Sequence, residues 1–342
     1  MEKKRSKRIL RIVAAGVTLL SIYLFAPWQF ALYYLTPLPS SIDKQVAQAT
    51  EQAIDGIIVY VDKKGASPEV YTSGWHNRKD KIPAKKDAYF KIGSIAKLYD
   101  ALAVAKLASN KVLDLDKTLT HYLPRLSQRI THADKITLRM LVKHQSGLAN
   151  YTDQAEFDWA KSWSFEQALS LIRDKPAEFS PGSDYGYSNT NYLLLRHIME
   201  KVLGTPHTDF IKASILNKLA LKNTYFSVSD IDQTRLMSGY YVGYDDDFKS
   251  LDQGYVATIA DVGQFIRALN DGSVFDSETE KQLYDDLYVY HHTGWVLGYN
   301  SIARYHPEID TVLVQFVNTT GNDTVLLNTI IYNRLLRILN AY

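Results

Sequence analysis

Ser94 and Lys97 stand three residues apart at the opening of an apolar stretch that runs to Ser109, just after the strand-like run Tyr89-Phe90-Lys91-Ile92 and Gly93. In a helix, positions three apart share a face, so Ser94 Oγ and Lys97 Nζ can meet above the first turn. The N-terminus of the same helix offers unpaired N–H groups and partial positive charge. A hydroxyl nucleophile, an amine able to take its proton and donors for a developing oxyanion would then lie within one turn, which is the equipment of acyl transfer. The spacing alone is not specific. Ser41-Ile42-Asp43-Lys44 repeats it after Pro37, Pro39 and Ser40, where it reads as a linker and helix start, and an isolated Ser94 would serve equally as an N-cap.

Two further stretches carry groups of the kind such a pair needs. Phe179-Ser180-Pro181-Gly182-Ser183-Asp184-Tyr185-Gly186-Tyr187-Ser188-Asn189 places Tyr187 and Asn189 in a loop before a helix, and His292-Thr293-Gly294 begins a strand. A lysine of pKa about 10.4 is neutral only about once in 2,500 at pH 7, and a phenol is a phenolate about as rarely, so either could act as base only where its surroundings shift it. Cysteine is absent, which excludes disulfides, thiolate catalysis and cysteine-bound zinc. The nine histidines show no metal-binding spacing. We expect neither a metal nor an organic cofactor. His144 reads as a structural hydrogen-bonder, and His291 should face away from the cleft if His292 faces in, because strand neighbours alternate. Asp245-Asp246-Asp247 reads as a solvated loop.

The elements that must position these groups are legible in outline. Gly56 to Val61 and Glu69 to Trp75, joined by a Lys63-Lys64-Gly65 turn, read as an antiparallel hairpin, preceded by an amphipathic helix around Val46 to Ile54. From about Val112 to Leu269 the pattern is mainly helical. Strand character returns at His292 to Leu297, Asn300 to Arg304 and Thr311 to Val317, and a helix over Val325 to Leu339 closes the chain. Strands at both ends around a helical middle predict an α+β fold. Its antiparallel sheet would be built from both ends of the chain and flanked by helices, with a mainly helical subdomain inserted at about 105–270.

With 342 residues, 46% of them hydrophobic and 22% charged, the chain can bury a full core. Six basic residues and one acidic one lie in the first 11 positions, leaving 33 basic and 36 acidic residues for the remainder. That balance excludes nucleic acid as the main partner. Residues 12–35 hold no charge; at about 1.5 Å per residue they can cross a hydrocarbon core of roughly 30 Å. The basic flank keeps residues 1–11 in the cytoplasm, so a single-pass anchor in the cytoplasmic membrane, a linker over 36–44 and a domain over 45–342 on the periplasmic or extracellular side are expected. Trp28, Tyr33 and Tyr34 would sit at the outer interface. The alternative is a signal peptide cut after Ala26, although Leu24 is large for that site and Pro27 follows.

The order Ser-x-x-Lys, Tyr-x-Asn, His-Thr-Gly resembles that of the serine β-lactamase and penicillin-binding protein superfamily, and within it the class C β-lactamase-like group of DD-peptidases, D-aminopeptidases and carboxylesterases. The likeness extends over roughly residues 45–340. Leu141-Val142-Lys143-His144-Gln145-Ser146-Gly147-Leu148 and Gly254-Tyr255-Val256-Ala257-Thr258-Ile259-Ala260-Asp261-Val262 are similar to two further segments of that group. The resemblance implies that Ser94 is the nucleophile of an acyl-enzyme mechanism, that Lys97 or Tyr187 is its base, and that Asn189 binds substrate or holds Lys97. It places His292, Thr293, Gly294 and Trp295 along the substrate, with the backbone N–H groups of Ser94 and Trp295 as the oxyanion hole. The implied substrate is a small molecule or peptide, with peptidoglycan or D-amino-acid peptides first and esters next. A non-catalytic wall- or partner-binding protein that keeps the pocket is the alternative from another class. Where β-lactamases usually carry Lys-Thr-Gly this chain has His292, which predicts that handling of carboxylate-bearing substrates varies between about pH 5.5 and 7.5.

Overall fold

Both ends of the chain contribute strands to one sheet, and the turn that carries Ser94 sits against its edge strand. The computed structural model describes residues 2–25, 28–252, 254–321 and 323–341. Helices α1 (Glu2–Phe25) and α2 (Trp28–Leu35) precede α3 (Ile42–Ala49). Ser41 caps α3 by accepting from the Lys44 N–H. The second Ser-x-x-Lys is thus a helix start, and this cap sets the helix at Ile42–Ala49 rather than Val46–Ile54, so the linker ends at Ser41 rather than at Lys44. The expected hairpin is formed by β1 (Gly56–Lys63) and β2 (Glu69–Asn77), with β3 (Ile82–Pro83) at its rim. Next, β4 (Tyr89–Lys91) leads through a 3-10 turn at Gly93–Ile95 into α4 (Ala96–Ser109). The middle of the chain includes α5 (Asn189–Leu203), β5 (Thr224–Tyr225), β6 (Val256–Thr258) and α6 (Ile259–Asp271). Strands β7 (His292–Val296), β8 (Tyr299–His306) and β9 (Thr311–Val317) return, and α7 (Thr324–Leu339) closes the chain.

The main sheet has six strands in the order β3-β2-β1-β9-β8-β7, every pair antiparallel. Ile57 lies opposite Val317 and Ile58 opposite Phe316. Ile58, Tyr60, Val314 and Phe316 face one core, shared with α4 and α6. Ile57, Val59, Val61 and Leu313 face another, shared with α2, α3 and α7. Helices therefore cover both faces, and that is why β1 is buried at every position from Gly56 to Val61 instead of alternating. Helix α4 is buried from Ala96 through Leu107, consistent with its apolar residues on all sides.

The helical middle is not purely helical. A three-stranded sheet in the order β4-β6-β5 sets Phe90 opposite Ala257, which ties the strand before Ser94 to the one that starts α6. Strands of two or three residues are too short to show the two-residue period that identifies strands in sequence.

The expected span over 12–35 divides in two. Lys7–Phe25 is long and apolar enough to cross a membrane, and none of it is buried. In α2, by contrast, Phe30 and Tyr33 are buried in the core shared with α3 and α7. The cause is Arg334 of α7, fully buried, which donates to Tyr33 O (2.8 Å), Thr36 O (2.9 Å), Pro37 O (3.1 Å) and Gln45 Oε1 (2.9 Å). A cation thus satisfies a carbonyl in the last turn of α2 and two just beyond its end. Tyr33 is not at a membrane interface; its hydroxyl accepts from Gln45 Nε2 (2.7 Å) inside the fold. The alternative cleavage site at Ala26 and Pro27 lies outside the described residues.

Candidate active site

Ser94 does not cap its helix. The α4 N-cap is Ile95 and the cap of the preceding 3-10 turn is Ile92, neither with a side-chain bond, so the Ser94 hydroxyl is left for other partners. Lys97 Nζ donates to Ser94 Oγ at 3.0 Å, and the Tyr187 hydroxyl meets the same oxygen at 2.8 Å. Lys97 Nζ also donates to Asn189 Oδ1 at 2.9 Å and lies over the rings of Tyr187 and Tyr192, 5.1 and 5.5 Å from their centroids. Asn189 is itself held: its Nδ2 donates to Thr152 Oγ1 (3.0 Å) and its backbone N–H to Asn150 Oδ1 (2.9 Å). Ser94 and Asn189, far apart in sequence, therefore hold one amine between them.

The surroundings decide which group carries charge. Burial lowers the Lys97 pKa from 10.5 to about 7, helped by the Arg196 guanidinium and opposed by the Asp100 carboxylate. Close to half of the lysines are then neutral at pH 7, against about one in 2,500 for a free one. Burial acts on Tyr187 in the other direction and raises it to about 12, the Ser94 bond pulling back only part of the way. Phenolate then forms about once in 100,000 at pH 7. Of the two groups that sequence leaves open as base, the amine is the one whose surroundings favour its basic form.

A turn at 144–148 holds the tyrosine loop. Gly182 N–H donates to Gln145 O (2.8 Å), Gly186 N–H to His144 O (2.9 Å) and Glu178 N–H to Gly147 O (2.9 Å). Gly147 has φ +71°, and a Cβ there would stand 2.1 Å from Phe179 O, so only glycine lets the two backbones approach this closely. His144 is buried, accepts from the Ser188 N–H through Nδ1 (3.2 Å), and packs its ring 4.5 Å from that of Tyr187. Burial lowers its pKa to about 3, so it is a neutral spacer behind the phenol. The hydrogen-bonding role expected for it holds.

His292 requires a correction. Its Nε2 meets the Tyr288 hydroxyl at 3.0 Å, its Nδ1 bonds the Thr293 carbonyl, and its ring lies 6.3 Å from that of Tyr187. Burial, with Lys97 adding to it and the Thr293 carbonyl opposing, lowers the imidazole to about 4. The ring is therefore neutral throughout pH 5.5–7.5, and the pH dependence expected of it in that window is not available. His291 is exposed. Thr293 is exposed as well, whereas Gly294 is buried against the nucleophile turn: a Cβ on Gly93, whose φ is +56°, would stand 2.7 Å from Trp295 N. The backbones around Ser94 and Trp295 are thus side by side.

A cleft of about 280 Å³ opens over Ser94, Lys97 and Asn189 and reaches Tyr151, Trp159, Arg196 and Trp295. Sequence reasoning missed Arg196, whose Nε and Nη2 both donate to the buried Asp100 Oδ2 (2.9 and 2.8 Å). Its place on α5 two turns beyond Asn189 was the available signal. A larger cavity of about 780 Å³, between Thr208 and Asp230, contains none of these groups.

A family model described as beta-lactamase matches residues 42–289. The chain is 32% identical over 196 residues to a beta-lactamase of Pseudomonas fluorescens, covering 57% of this chain and 51% of that protein. It spans about half or less of the length of the curated relatives it matches. Among solved structures it is similar in fold to the D-amino acid amidase from Ochrobactrum anthropi SV3 (TM-score 0.75, 21% identity, 88% of this chain and 97% of that one). It is similar also to a penicillin binding protein from Bacillus halodurans (TM-score 0.68, 20% identity, 83% and 95%).

Proposed function

The chain belongs to the beta-lactamase family, and from that premise we propose that it is a membrane-anchored serine hydrolase that cleaves an amide by way of an acyl-enzyme. The observation that carries the reading is the contact of Ser94 Oγ with Lys97 Nζ at 3.0 Å and with the Tyr187 hydroxyl at 2.8 Å. Neutral Lys97 takes the Ser94 proton as Oγ attacks the carbonyl carbon. The backbone N–H groups of Ser94 and Trp295 receive the oxyanion, each worth roughly 3 kcal/mol. Tyr187, protonated at neutral pH, passes a proton to the leaving nitrogen and recovers one from Lys97. The C–N bond breaks, and water then cleaves the ester on Ser94 along the reverse route.

Asn189 keeps Lys97 in place, while His292 and Thr293 line the substrate. The amide class is supported by the relatives, since a β-lactam and a D-amino acid amide are both amides. Peptidoglycan peptides and D-amino-acid peptides are the substrates that reading favours. A second reading within the same mechanism is a neutral ester: with His292 uncharged, its ring offers no fixed cation to a substrate carboxylate. Lys7–Phe25 serves as the anchor, with the basic N-terminus in the cytoplasm and the domain outside. The test is labelling of the purified protein with a fluorophosphonate and with a fluorescent β-lactam, beside Ser94→Ala. Labelling by either that vanishes in the variant supports a hydrolase; no labelling by either, with the fold intact, supports a binding protein.

A further inference from the structure

We infer that the cleft beside Ser94 is an acyl-side pocket selective for a single large, uncharged aromatic group. This rests on the hydrolase reading and names its substrate class. Six aromatic residues line the cleft, and five of them, all but Tyr255, form one connected set. Tyr151 and Phe157 meet edge-on at 5.3 Å, Phe157 stacks on Trp163 at 5.1 Å and meets Trp159 at 5.0 Å, and Trp159 meets Trp295 edge-on at 4.9 Å. Trp295 is also the residue whose backbone lies against the Ser94 turn, so the aromatic wall begins where the scissile carbonyl would sit.

Local hydrogen bonds hold the loop that carries the wall. Phe157 N–H donates to Gln154 O (2.9 Å), Ala160 N–H to Asp158 Oδ1 (2.9 Å) and Trp163 Nε1 to Asp158 O (2.9 Å). With the Trp163 ring bonded directly and the rings packed on one another, the wall loses little freedom when a ligand packs on it.

Size and charge narrow the occupant. A dry cavity of roughly 150 Å³ holds benzene, so 280 Å³ accommodates a phenyl group with its linker. It lies just below the roughly 300–1,000 Å³ of pockets that enclose a whole drug-sized ligand, which matches one side chain. The cations in the wall are matched: Arg196 with Asp100 at 2.8 Å and Lys161 with Asp158 at 3.0 Å. Lys97 is close to half neutral. Asp252, which also lines the cleft, disfavours an acidic acyl group.

The experiment uses the full chain in detergent and p-nitrophenyl esters with one leaving group: acetate, butyrate, succinate and 3-phenylpropanoate. The expected result is a kcat/KM at least about tenfold higher for 3-phenylpropanoate than for acetate, with succinate the poorest. Trp159→Ala should collapse that ratio to near one, and Trp159→Phe should keep most of it. Equal rates on acetate and 3-phenylpropanoate, or a ratio unmoved in Trp159→Ala, would overturn the inference. A separate arm measures binding of 3-phenylpropanamide and propanamide to Ser94→Ala by calorimetry. If wild type turns over no ester but the aromatic amide binds selectively, the pocket stands and the hydrolase reading fails; turnover without aromatic preference removes the pocket alone.

Discussion

At the scale of single residues, the proposed chemistry turns on one amine whose pKa burial lowers. Lys97 is lowered to about 7 and must be uncharged to accept a proton, so kcat/KM should rise with pH through a midpoint near 7. Lys97→Arg keeps the charge but cannot lose its proton, and should lower kcat by about 10³ or more with the limb abolished. Tyr187→Phe removes a proton shuttle and should lower kcat by roughly 10–100-fold while the limb stays near 7. Loss of the limb in Tyr187→Phe would instead make the phenol the base. His292 gives the opposite kind of prediction. Its pKa is held near 4, so it is uncharged above about pH 5, and the ratio of kcat/KM for carboxylate-bearing over neutral substrates should be flat from pH 5.5 to 7.5. His292→Lys restores a cation and should raise that ratio several-fold. The types and order of Ser94, Lys97, Tyr187 and His292 were legible in sequence, but their ionisation was not, because desolvation depends on which chain segments close over each group.

At the scale of elements, the site depends on close backbone approaches that only glycine permits. Gly147→Ala places a Cβ 2.1 Å from Phe179 O at φ +71°. It should cost about 3 kcal/mol or more in thermal unfolding and loosen the Tyr187 loop, read as a fall in kcat larger than any change in KM. Gly93→Ala acts between the nucleophile turn and β7, and should lower kcat by about 10²–10³ through displacement of an oxyanion donor. Long, strongly patterned elements were visible beforehand: the β1–β2 hairpin, α4, α5 and the returning strands all lie within a few residues of their expected places. The pairing of β4 with β6 was not, since each is three residues long. Nor was the aromatic wall at 151–163, where the sequence shows Tyr151, Phe157, Trp159 and Trp163 at no regular period because a loop positions them.

At the scale of the whole molecule, a sheet built from both ends of the chain brings Ser94 and His292 together although nearly 200 positions separate them, and the loop held by the 144–148 turn adds Tyr187. The apolar N-terminal run was legible as membrane-compatible, whereas its division was not, because the decisive partner of α2 is Arg334 at the far end of the chain. Arg334→Met should cost roughly 3 kcal/mol or more, since several carbonyls lose a charged donor, and should expose residues 28–41 to limited proteolysis while leaving the Ser94 cleft labelled. The central claim is that Ser94 is activated by neutral Lys97, and its most direct measure is the single-turnover rate of acyl-adduct formation on Ser94 against pH, followed by intact mass. We predict an adduct mapping to Ser94 whose rate rises with a midpoint near pH 7 and is lost in Lys97→Arg. An adduct elsewhere, none at all, or one whose rate ignores both pH and Lys97 would contradict it.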